Sequence, residues 1–262
     1  MSVIEAIILG ILQGITELLP VSSSGHLRLG RELFGFLGQQ TGDENLAFDV
    51  LMHVGTLAVV LIAFRKEIIS LLKGRRKVWI ALFLASIPAG LLGVGYKLAM
   101  KAYAPEFEFP VWVIGIAYLF CGSFLMVVEK RTRDEFDMDA LTAKQSLIIG
   151  LAQAIAILPG VSRSGMTILT GGALGLKRTD AMAFSFLMSL IAIGGATLIE
   201  LKDIADLGSQ NAGALVAGFL ASFLSGLFAI WTLRKIVQKK RMAWFGPYCI
   251  ALGLASIVLA FR

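Results

Sequence analysis

The residues best suited to chemistry lie in the segment 159–167, Pro-Gly-Val-Ser-Arg-Ser-Gly-Met-Thr, between the apolar runs 148–158 and 168–174. Apolar packing does not explain an arginine and several polar side chains at this place. An arginine at the depth of a bilayer costs about 3 kcal/mol or more, and irregular backbone survives there only when it is buried in protein or lines a wet cavity. The alternative is a surface loop that holds Arg163 at the lipid headgroups. The pattern favours a buried site that binds an anion.

Two serine-rich turns are the next candidates, because serine often caps the N-terminus of a helix. The free N–H groups and the positive dipole end of such an N-terminus favour a negative charge. Two N-termini that face each other, with the forked donors of Arg163 between them, would form a pocket for phosphate groups. Plain helix capping is the alternative for each serine. The residues assigned to this pocket are Ser22, Ser24, Gly25, Gly160, Ser162, Ser164, Gly165 and Thr167.

Gln13 and Glu17 are four residues apart and would share one face of a helix. A carboxylate and an amide beside an anion pocket suit a hard divalent cation that bridges protein and substrate phosphates; a glutamate that snorkels to the membrane surface is the alternative. His26, just after the first serine turn, is placed either for acid–base catalysis or as a structural histidine. Asp49 and His53 are again four residues apart, and they either support the site from behind or satisfy each other.

The composition indicates the kind of protein that must position these residues. Of 262 residues, 57% are hydrophobic, and the mean hydropathy of +0.80 is typical of a polytopic helical membrane protein. The net charge of +6 is concentrated in short loops, as membrane topology requires, so nucleic-acid binding is not expected. The first residues lack a basic region, so a cleaved signal peptide is not expected. Cys121 and Cys249 lie in apolar runs and suggest neither a disulfide nor a thiolate metal site.

Six apolar stretches are long enough to cross a bilayer. They are residues 48–64, 78–100, 110–128, 183–199, 212–233 and 244–261. Connections rich in Lys and Arg are expected in the cytoplasm, and those poor in them outside. The first kind comprises 65–77, 129–144 and 234–241, and the second kind comprises 101–109 and 200–211. Counting the crossings, the segment 145–180 must leave the cytoplasm and return to it. Each half has only about 14 residues, roughly 20 Å of helix, which favours a re-entrant hairpin over two full spans.

The two serine-rich turns are related by an internal duplication. Residues 10–30 match residues 150–170 without a gap, at a constant offset of 140. The identical pairs are Gly10/Gly150, Gln13/Gln153, Ile15/Ile155, Leu18/Leu158, Val21/Val161, Ser22/Ser162, Ser24/Ser164, Gly25/Gly165 and Leu29/Leu169. A second match joins residues 47–52 to residues 183–188. Chance similarity between apolar segments is the alternative, but Val-Ser-x-Ser-Gly in both copies favours duplication.

Three spans separate the copies, an odd number, so the second copy is inverted relative to the first. We therefore predict an all-α polytopic membrane protein with an inverted-topology repeat, about six spanning helices and two re-entrant helical hairpins that meet near the midplane. The single membrane domain 1–262 would comprise repeat one, 1–130 with hairpin 1–40, and repeat two, 145–262 with hairpin 145–178. The copies differ in charge, since Glu17 aligns with Ile157 and Arg163 aligns with Ser23. Such divergence is expected of a catalytic centre more than of a symmetric conduit.

The chain resembles the undecaprenyl pyrophosphate phosphatases, the bacitracin-resistance protein family. The resemblance rests on Gln-Gly-Ile-Thr-Glu-Leu-Leu-Pro-Val-Ser-Ser-Ser-Gly-His at 13–26 and on the segment 159–167, and it extends over essentially the whole chain. The first motif of the family accepts Glu or Gln at the position of Gln13. The resemblance implies a membrane enzyme that hydrolyses undecaprenyl diphosphate to undecaprenyl phosphate and inorganic phosphate. That product is the carrier lipid for peptidoglycan precursors.

The resemblance also implies roles for single residues. Glu17 would hold the metal with help from Gln13, Ser23 would attack the phosphorus, His26 would transfer a proton, and Arg163 would clamp the diphosphate. A water molecule activated by Glu17 or His26 is the alternative nucleophile. The implied cofactor is a divalent cation, Mg²⁺ or Ca²⁺.

The implied location is the bacterial cytoplasmic membrane, with a site that opens to the outer face. The expected partners are the polyprenyl diphosphate lipid and the bilayer, without nucleic acid. The oligomeric state is left open, with a homodimer as one candidate.

Two other functions are compatible with the pattern. Inverted repeats with broken helices are typical of secondary transporters, so a transporter or flippase for a phosphorylated lipid or an anion is the main alternative. A protein that binds lipid diphosphates without cleaving them is the other. Glu17, Ser23 and His26 are concentrated in one copy, which favours chemistry, because a carrier needs access from both faces but no nucleophile.

Overall fold

The structure, a computed structural model, describes residues 2–34, 43–104, 107–204 and 212–261. The end of the predicted hairpin 1–40 and parts of the predicted outer connections 101–109 and 200–211 lie outside the described residues. Within the described part of the chain the regular structure is helical, apart from one isolated β-bridge between Phe136 and Leu176. The helices are α1 (Val3–Leu18), α2 (Ser23–Phe34), α3 (Asp43–Ala63), α4 (Arg65–Leu72), α5 (Arg76–Tyr103), α6 (Val111–Val128), α7 (Ala143–Ile155), α8 (Arg163–Ala173), α9 (Arg178–Ile204), α10 (Ala212–Gln238) and α11 (Phe245–Ala260).

Five of the described helices, α5, α6, α9, α10 and α11, are long and apolar enough to cross a bilayer. The remaining predicted span is bent: Phe48–Ala63 meets α4 at an angle of 73°. Its continuation, α4, begins with the exposed Arg65 and Lys66, so the helix turns away where its side chains become basic. The predicted connection 65–77 is therefore partly helical. The prediction of an all-α polytopic membrane protein is confirmed.

The three basic connections lie together at one end of the helices. Arg75 forms a two-pronged ion pair with Asp139, which joins the connection before α5 to the one before α7. Glu129 accepts hydrogen bonds from the backbone N–H groups of Met242 and Ala243, at 2.5 and 2.6 Å, and so joins the connection before α11 to the same end. This clustering is what the positive-inside rule expects of a cytoplasmic side.

The helix pairs α1–α2 and α7–α8 begin in the same way. Ser2 and Glu5 form a capping box at the start of α1, and Thr142 and Gln145 form one at the start of α7. In such a box the serine or threonine oxygen accepts from the third backbone N–H, while the acid or amide side chain returns to the cap. The two boxes are again 140 residues apart, so the duplication extends to the first turn of each pair.

The two halves of the chain pack crosswise. Helix α1 lies along α10 of the second half, and α7 lies along α5 of the first half. A Cβ added at Gly10 of α1 would be 2.4 Å from the carbonyl oxygen of Gly218, and one at Gly150 of α7 would be 2.3 Å from that of Ala85. The duplicated glycine thus permits the same close backbone contact in both halves. This packing supports the inverted repeat. The boundaries of the two repeats, 1–130 and 145–262, stay a prediction.

Helices α3 and α9 pack against each other at the centre, where Phe184, Phe186 and Met188 are buried. Large apolar side chains such as Phe83 of α5 and Phe228 of α10 are exposed, as expected of surfaces that face lipid. The short helix pairs α1–α2 and α7–α8 bring their turns to one another inside this arrangement.

Candidate active site

The turn between α1 and α2, residues 19–22 and hereafter the first turn, forms one wall of the site. Ser22 has φ of +65°, a left-handed conformation that is costly for a residue other than glycine. The Ser22 Oγ accepts hydrogen bonds from the backbone N–H of Gly25, at 3.4 Å, and from that of Gly160, at 3.0 Å. These bonds compensate for the strain and connect the two helix pairs.

The turn between α7 and α8, residues 156–162 and hereafter the second turn, forms the opposite wall. Its left-handed residue is Gly160, with φ of +101°. A Cβ at this position would lie 2.6 Å from the carbonyl oxygen of Ile114 in α6. Only glycine combines this backbone conformation with so close an approach.

The two serines at the start of α8 behave differently from one another. Ser162 is the N-cap of α8, and its Oγ accepts from the N–H of Gly165 at 3.2 Å, which confirms the predicted cap. Ser164 does not cap the helix; its Oγ donates to the carbonyl oxygen of Leu19 in the first turn, at 3.3 Å. Together with the bond from Gly160 to Ser22, this contact ties the two turns to each other.

Glu17 is the centre of the site. Its Oε1 lies 3.4 Å from Nη2 of Arg163, and its Oε2 accepts from Ser23 Oγ at 2.5 Å and from Gln13 Nε2 at 3.3 Å. The side chains of Glu17 and Arg163 are only 9% and 14% exposed. A buried charge is tolerated when an opposite charge and hydrogen bonds satisfy it, as each of these two groups does for the other. The structure therefore brings together four of the residues predicted for catalysis and metal binding.

Arg163 is also held from the side of α9. Its Nη1 donates to the backbone carbonyl of Ser185 at 3.3 Å, and its guanidinium carbon lies 5.8 Å from the centre of the Phe186 ring. The Ser185 hydroxyl is 2.6 Å from the Thr167 hydroxyl, which also donates to the carbonyl oxygen of Arg163. Sequence reasoning missed Ser185 as a site residue. The match between residues 47–52 and 183–188 aligns Ser185 with Asp49, and this alignment could have indicated Ser185.

His53 lies at the edge of the cluster. Its Nε2 is 4.0 Å from Glu17 Oε2 and 3.5 Å from Gln13 Nε2. Its Nδ1 is 2.8 Å from the backbone carbonyl oxygen of Asp49, one helical turn earlier. The contact orients the imidazole toward Glu17. The supporting role of Asp49 and His53 stays a prediction.

His26 makes its hydrogen bonds outside this cluster. Its Nδ1 lies 2.7 Å from the carbonyl oxygen of Ser22 and 2.8 Å from the hydroxyl of Tyr118, and its Nε2 lies 2.6 Å from the hydroxyl of Tyr248. The Tyr118 hydroxyl donates to Ser22 as well, at 3.2 Å. These contacts brace the first turn against α6 and α11. The proton-transfer role of His26 stays a prediction. Sequence reasoning missed both tyrosines, because a single tyrosine in an apolar helix belongs to no motif.

The other predicted binding residues line the turns. Ser24 is exposed, and its Oγ is 3.4 Å from that of Ser22. A Cβ added at Gly25 would lie 2.5 Å from the hydroxyl of Tyr118, and one at Gly165 would lie 3.2 Å from Pro20. Both glycines thus allow the helix starts to approach their neighbours closely.

The donor set around Glu17 fits a hard divalent cation. Gln13 is 1% exposed, and among the described residues its Oε1 has no hydrogen-bond partner. A carboxylate and an amide oxygen are ligands that Mg²⁺ and Ca²⁺ accept. Within the described ranges, groups of three or more His, Cys, Asp or Glu suited to a metal do not occur. The protein would therefore supply few ligands, as is common where substrate phosphates and water complete the shell of Mg²⁺.

Comparison with known proteins identifies the family of the chain. A sequence profile of the family described as bacitracin resistance protein BacA matches residues 6–255. The undecaprenyl-diphosphatase of Bacteroides thetaiotaomicron is 39% identical over 98% of this chain and 99% of its own length. Those of Carboxydothermus hydrogenoformans and Methanobrevibacter smithii are each 37% identical, over 99% and 97% of this chain and 98% and 96% of their own lengths. The matched region covers nearly the whole chain, including both turns, and the chain therefore belongs to the bacitracin resistance protein BacA family.

Proposed function

We propose that this protein hydrolyses undecaprenyl diphosphate to undecaprenyl phosphate and inorganic phosphate, and so recycles the lipid that carries peptidoglycan precursors. The observation that carries the proposal is the buried cluster of a hydroxyl, a carboxylate and a guanidinium, in which Ser23 and Arg163 both contact Glu17. The names of the relatives support the choice of substrate, since they are undecaprenyl-diphosphatases similar over nearly the whole chain.

The diphosphate would bind between the two turns. Helices α2 and α8 begin at Ser23 and Arg163, so both N-termini and the guanidinium are at the site. Helix N-termini favour anions through their free N–H groups. The guanidinium has five N–H donors, and the contacts with Glu17 and Ser185 leave donors for phosphate oxygens.

Ser23 is the proposed nucleophile. Its hydroxyl donates to Glu17 at 2.5 Å, so the carboxylate is placed to take the proton as the bond from Oγ to the terminal phosphorus forms. The bond from this phosphorus to the bridging oxygen breaks, and undecaprenyl phosphate leaves. Water then attacks the phosphoserine, Ser23 regains a proton, and inorganic phosphate is released. In the alternative, Glu17 takes the proton from a water molecule that attacks directly.

We further propose that Glu17 and the Gln13 amide oxygen hold Mg²⁺ or Ca²⁺. When bound, such a cation would neutralise phosphate charge during the transfer. The unpartnered Gln13 Oε1 supports this assignment. The site is asymmetric, because Ile157 replaces the carboxylate in the second copy, and this supports hydrolysis rather than transport.

The proposed location is the bacterial cytoplasmic membrane, with the site open to the outer face. The clustering of the three basic connections at one end supports the assignment of that end to the cytoplasm. The opening to the outer face is proposed from the resemblance to the family.

The test is the release of inorganic phosphate from undecaprenyl diphosphate by purified protein in detergent, with Mg²⁺ or Ca²⁺ and with a chelator. We expect metal-dependent release that falls at least about 10³-fold in Arg163→Ala, because the guanidinium stabilises transferred phosphate charge. Arg133→Ala, at an exposed arginine, is the matched control and should retain activity. Trapping of a labelled phosphoserine in the wild type, and its loss in Ser23→Ala, would distinguish serine from water as the nucleophile. A folded wild type that binds the lipid without releasing phosphate would overturn the proposal.

A further inference from the structure

A groove beside Arg163 connects the site to the outer surface of the helices. It has a volume of about 470 Å³, within the range of small-molecule sites, and lies between α5, α7 and α9. Its lining includes Gly93, Ile157, Ala192 and Gly195, and it reaches Arg163. We call it the α5–α9 groove. Most of its lining is apolar, and its two charged residues are Arg163, where it meets the catalytic cluster, and Lys97 of α5.

The α5–α9 groove opens sideways. The lining residues Val94 of α5 and Ile191 of α9 are exposed on the outward faces of their helices, which are two of the membrane spans. On α5 the lining runs from Ser86 to Lys97, about 16 Å of helix at 1.5 Å per residue. A ligand in the groove can therefore extend from the buried cluster into lipid without passing through water.

Small residues create the space. A Cβ added at Gly195 would meet no atom within 4 Å, and one at Gly93 would meet only the tip of Ile157, at 3.9 Å. The helix contacts elsewhere use glycine for close packing, as at Gly10 and Gly150, but these two glycines face an open volume. Glycine at these places leaves room rather than bringing backbones together.

Gln153 is one of the polar residues that line the groove, with Ser86, Lys97 and Arg163. The residue is 3% exposed, and neither Nε2 nor Oε1 has a hydrogen-bond partner among the described residues. A buried amide without partners is unfavourable, and such groups usually acquire a partner or a function. Its counterpart in the first copy, Gln13, donates to Glu17. Gln153 lies in the lining beside Arg163, where a ligand could supply both a donor and an acceptor.

We propose that the α5–α9 groove holds the first isoprene units of the lipid substrate, and that Gln153 donates a hydrogen bond to the phosphate next to the lipid chain. The inference rests on the proposed function. The substrate has an apolar chain and an anionic head. The apolar lining of the groove suits the chain, and Arg163 at its inner end suits the head. With the terminal phosphate at Ser23, the adjacent phosphate lies toward Gln153, and the chain leaves between α5 and α9.

The first test compares two neighbouring glycines of α9. Gly195→Leu fills the groove, whereas Gly194→Leu adds the same side chain beside it, also into open space and with the same gain in helix propensity. We expect Gly195→Leu to raise KM for undecaprenyl diphosphate and for farnesyl diphosphate about tenfold, with kcat within twofold. Gly194→Leu should leave both constants within twofold. Equal effects of the two variants, or no effect of Gly195→Leu, would overturn the proposal.

The second test separates a binding role of Gln153 from a structural one. Gln153→Leu removes an amide without partners, so we expect the melting temperature to stay the same or rise by a few degrees. At the same time KM should rise about tenfold, because one hydrogen bond to a charged phosphate is lost. A fall in melting temperature with an unchanged KM would assign Gln153 to the fold alone and contradict the proposal.

A third measurement does not depend on hydrolysis. A prenyl diphosphate analogue with a photoreactive group on its first isoprene unit should label peptides of α5 and α9, and Gly195→Leu should reduce that labelling. Labelling confined to helices that do not line the groove would overturn the groove assignment even if phosphate release is normal. Correct labelling without phosphate release would retain the groove and overturn the proposed hydrolysis.

Discussion

The first and second turns have the same construction and different chemistry. Each joins two short helices, each contains a left-handed residue, and each is tied to the other by hydrogen bonds. In the first turn the left-handed residue is Ser22, and a carboxylate and a hydroxyl flank it. In the second turn it is Gly160, and an arginine follows. The duplication therefore supplies a symmetric cradle, and the chemistry arises where the two copies have diverged.

The divergence has an electrostatic reason. Two copies that both kept a glutamate, or both kept an arginine, would place like charges in a buried site and repel each other. One acid and one base instead form the pair Glu17–Arg163, which makes the buried cluster close to neutral. Arg163 and Glu17, the proposed phosphate-binding and catalytic residues, thus hold each other in place.

The largest expected effect on phosphate release comes from removing the carboxylate of Glu17. This change tests whether the second copy of the repeat can replace the first in catalysis. Glu17→Gln keeps the size of the side chain but removes the carboxylate that accepts from Ser23, and Ile157 offers no replacement. We expect phosphate release to fall about 10³-fold or more. Glu5→Gln on the same helix is the control, since glutamine can maintain the capping box and activity should be unchanged. Activity in Glu17→Gln within tenfold of wild type would show that this carboxylate is not the base.

The second prediction compares the two left-handed residues by stability. Gly160→Ala adds a methyl 2.6 Å from the carbonyl oxygen of Ile114 at a φ of +101°, so we expect a loss of about 3 kcal/mol in the free energy of unfolding. Ser22→Gly relieves strain but loses the Oγ hydrogen bonds, so a net change within about 1 kcal/mol is expected. Thermal unfolding in detergent measures both. Equal losses would mean that the two turns are under the same steric constraint.

The third prediction compares the two repeat-related glutamines. Gln13→Leu removes the amide oxygen next to Glu17, and we expect the metal concentration for half-maximal activity to rise about 10- to 100-fold. Gln153→Leu should leave that concentration unchanged while it raises KM. A titration of phosphate release with Mg²⁺ or Ca²⁺ distinguishes the two. If both variants shift the metal requirement, the cation is not confined to the acidic side of the site.

The smallest effect concerns the bracing of the first turn. Tyr118→Phe removes the hydroxyl that contacts both His26 and the Ser22 carbonyl, and we expect kcat/KM to fall about 3- to 10-fold. Tyr103→Phe, at an exposed tyrosine of α5, is the control and should change nothing. An unchanged kcat/KM in Tyr118→Phe would show that α11 and the bond to Gly160 hold the turn without it.

Much of the site could be predicted because its signals are local or repeated. The odd number of spans between the copies, together with Val-Ser-x-Ser-Gly in each, predicted that Arg163 would meet the residues around Glu17. The supporting contacts could not be predicted in the same way. Tyr118 and Tyr248 reach His26 from helices that each contain only one serine among otherwise apolar residues, and helix packing alone decides which of their faces points to the site. The α5–α9 groove depends on glycines that look like ordinary packing glycines in the sequence.

The bend at Phe64 shows a different limit. Basic residues from Arg65 onward predicted a connection at the cytoplasmic surface, and that position agrees with the structure's clustered basic end. The same residues also form a helix, α4, because charge reports depth in the membrane and does not by itself exclude helical backbone. Charge therefore predicted the place of this segment and not its conformation.

The crosswise packing of α1 on α10 has a consequence for synthesis. The chain is made from its N-terminus, so α1 enters the membrane long before Ala212, the first residue of its partner helix, has left the ribosome. Glu17 and Ser23 are likewise synthesised before Arg163. A chain that ends before residue 156 has every residue of the first turn but no second wall, and α1 lacks its partner until α10 is made. We therefore expect phosphate release only from chains that include α10. Synthesis of the second half of the chain is therefore the step that completes the site.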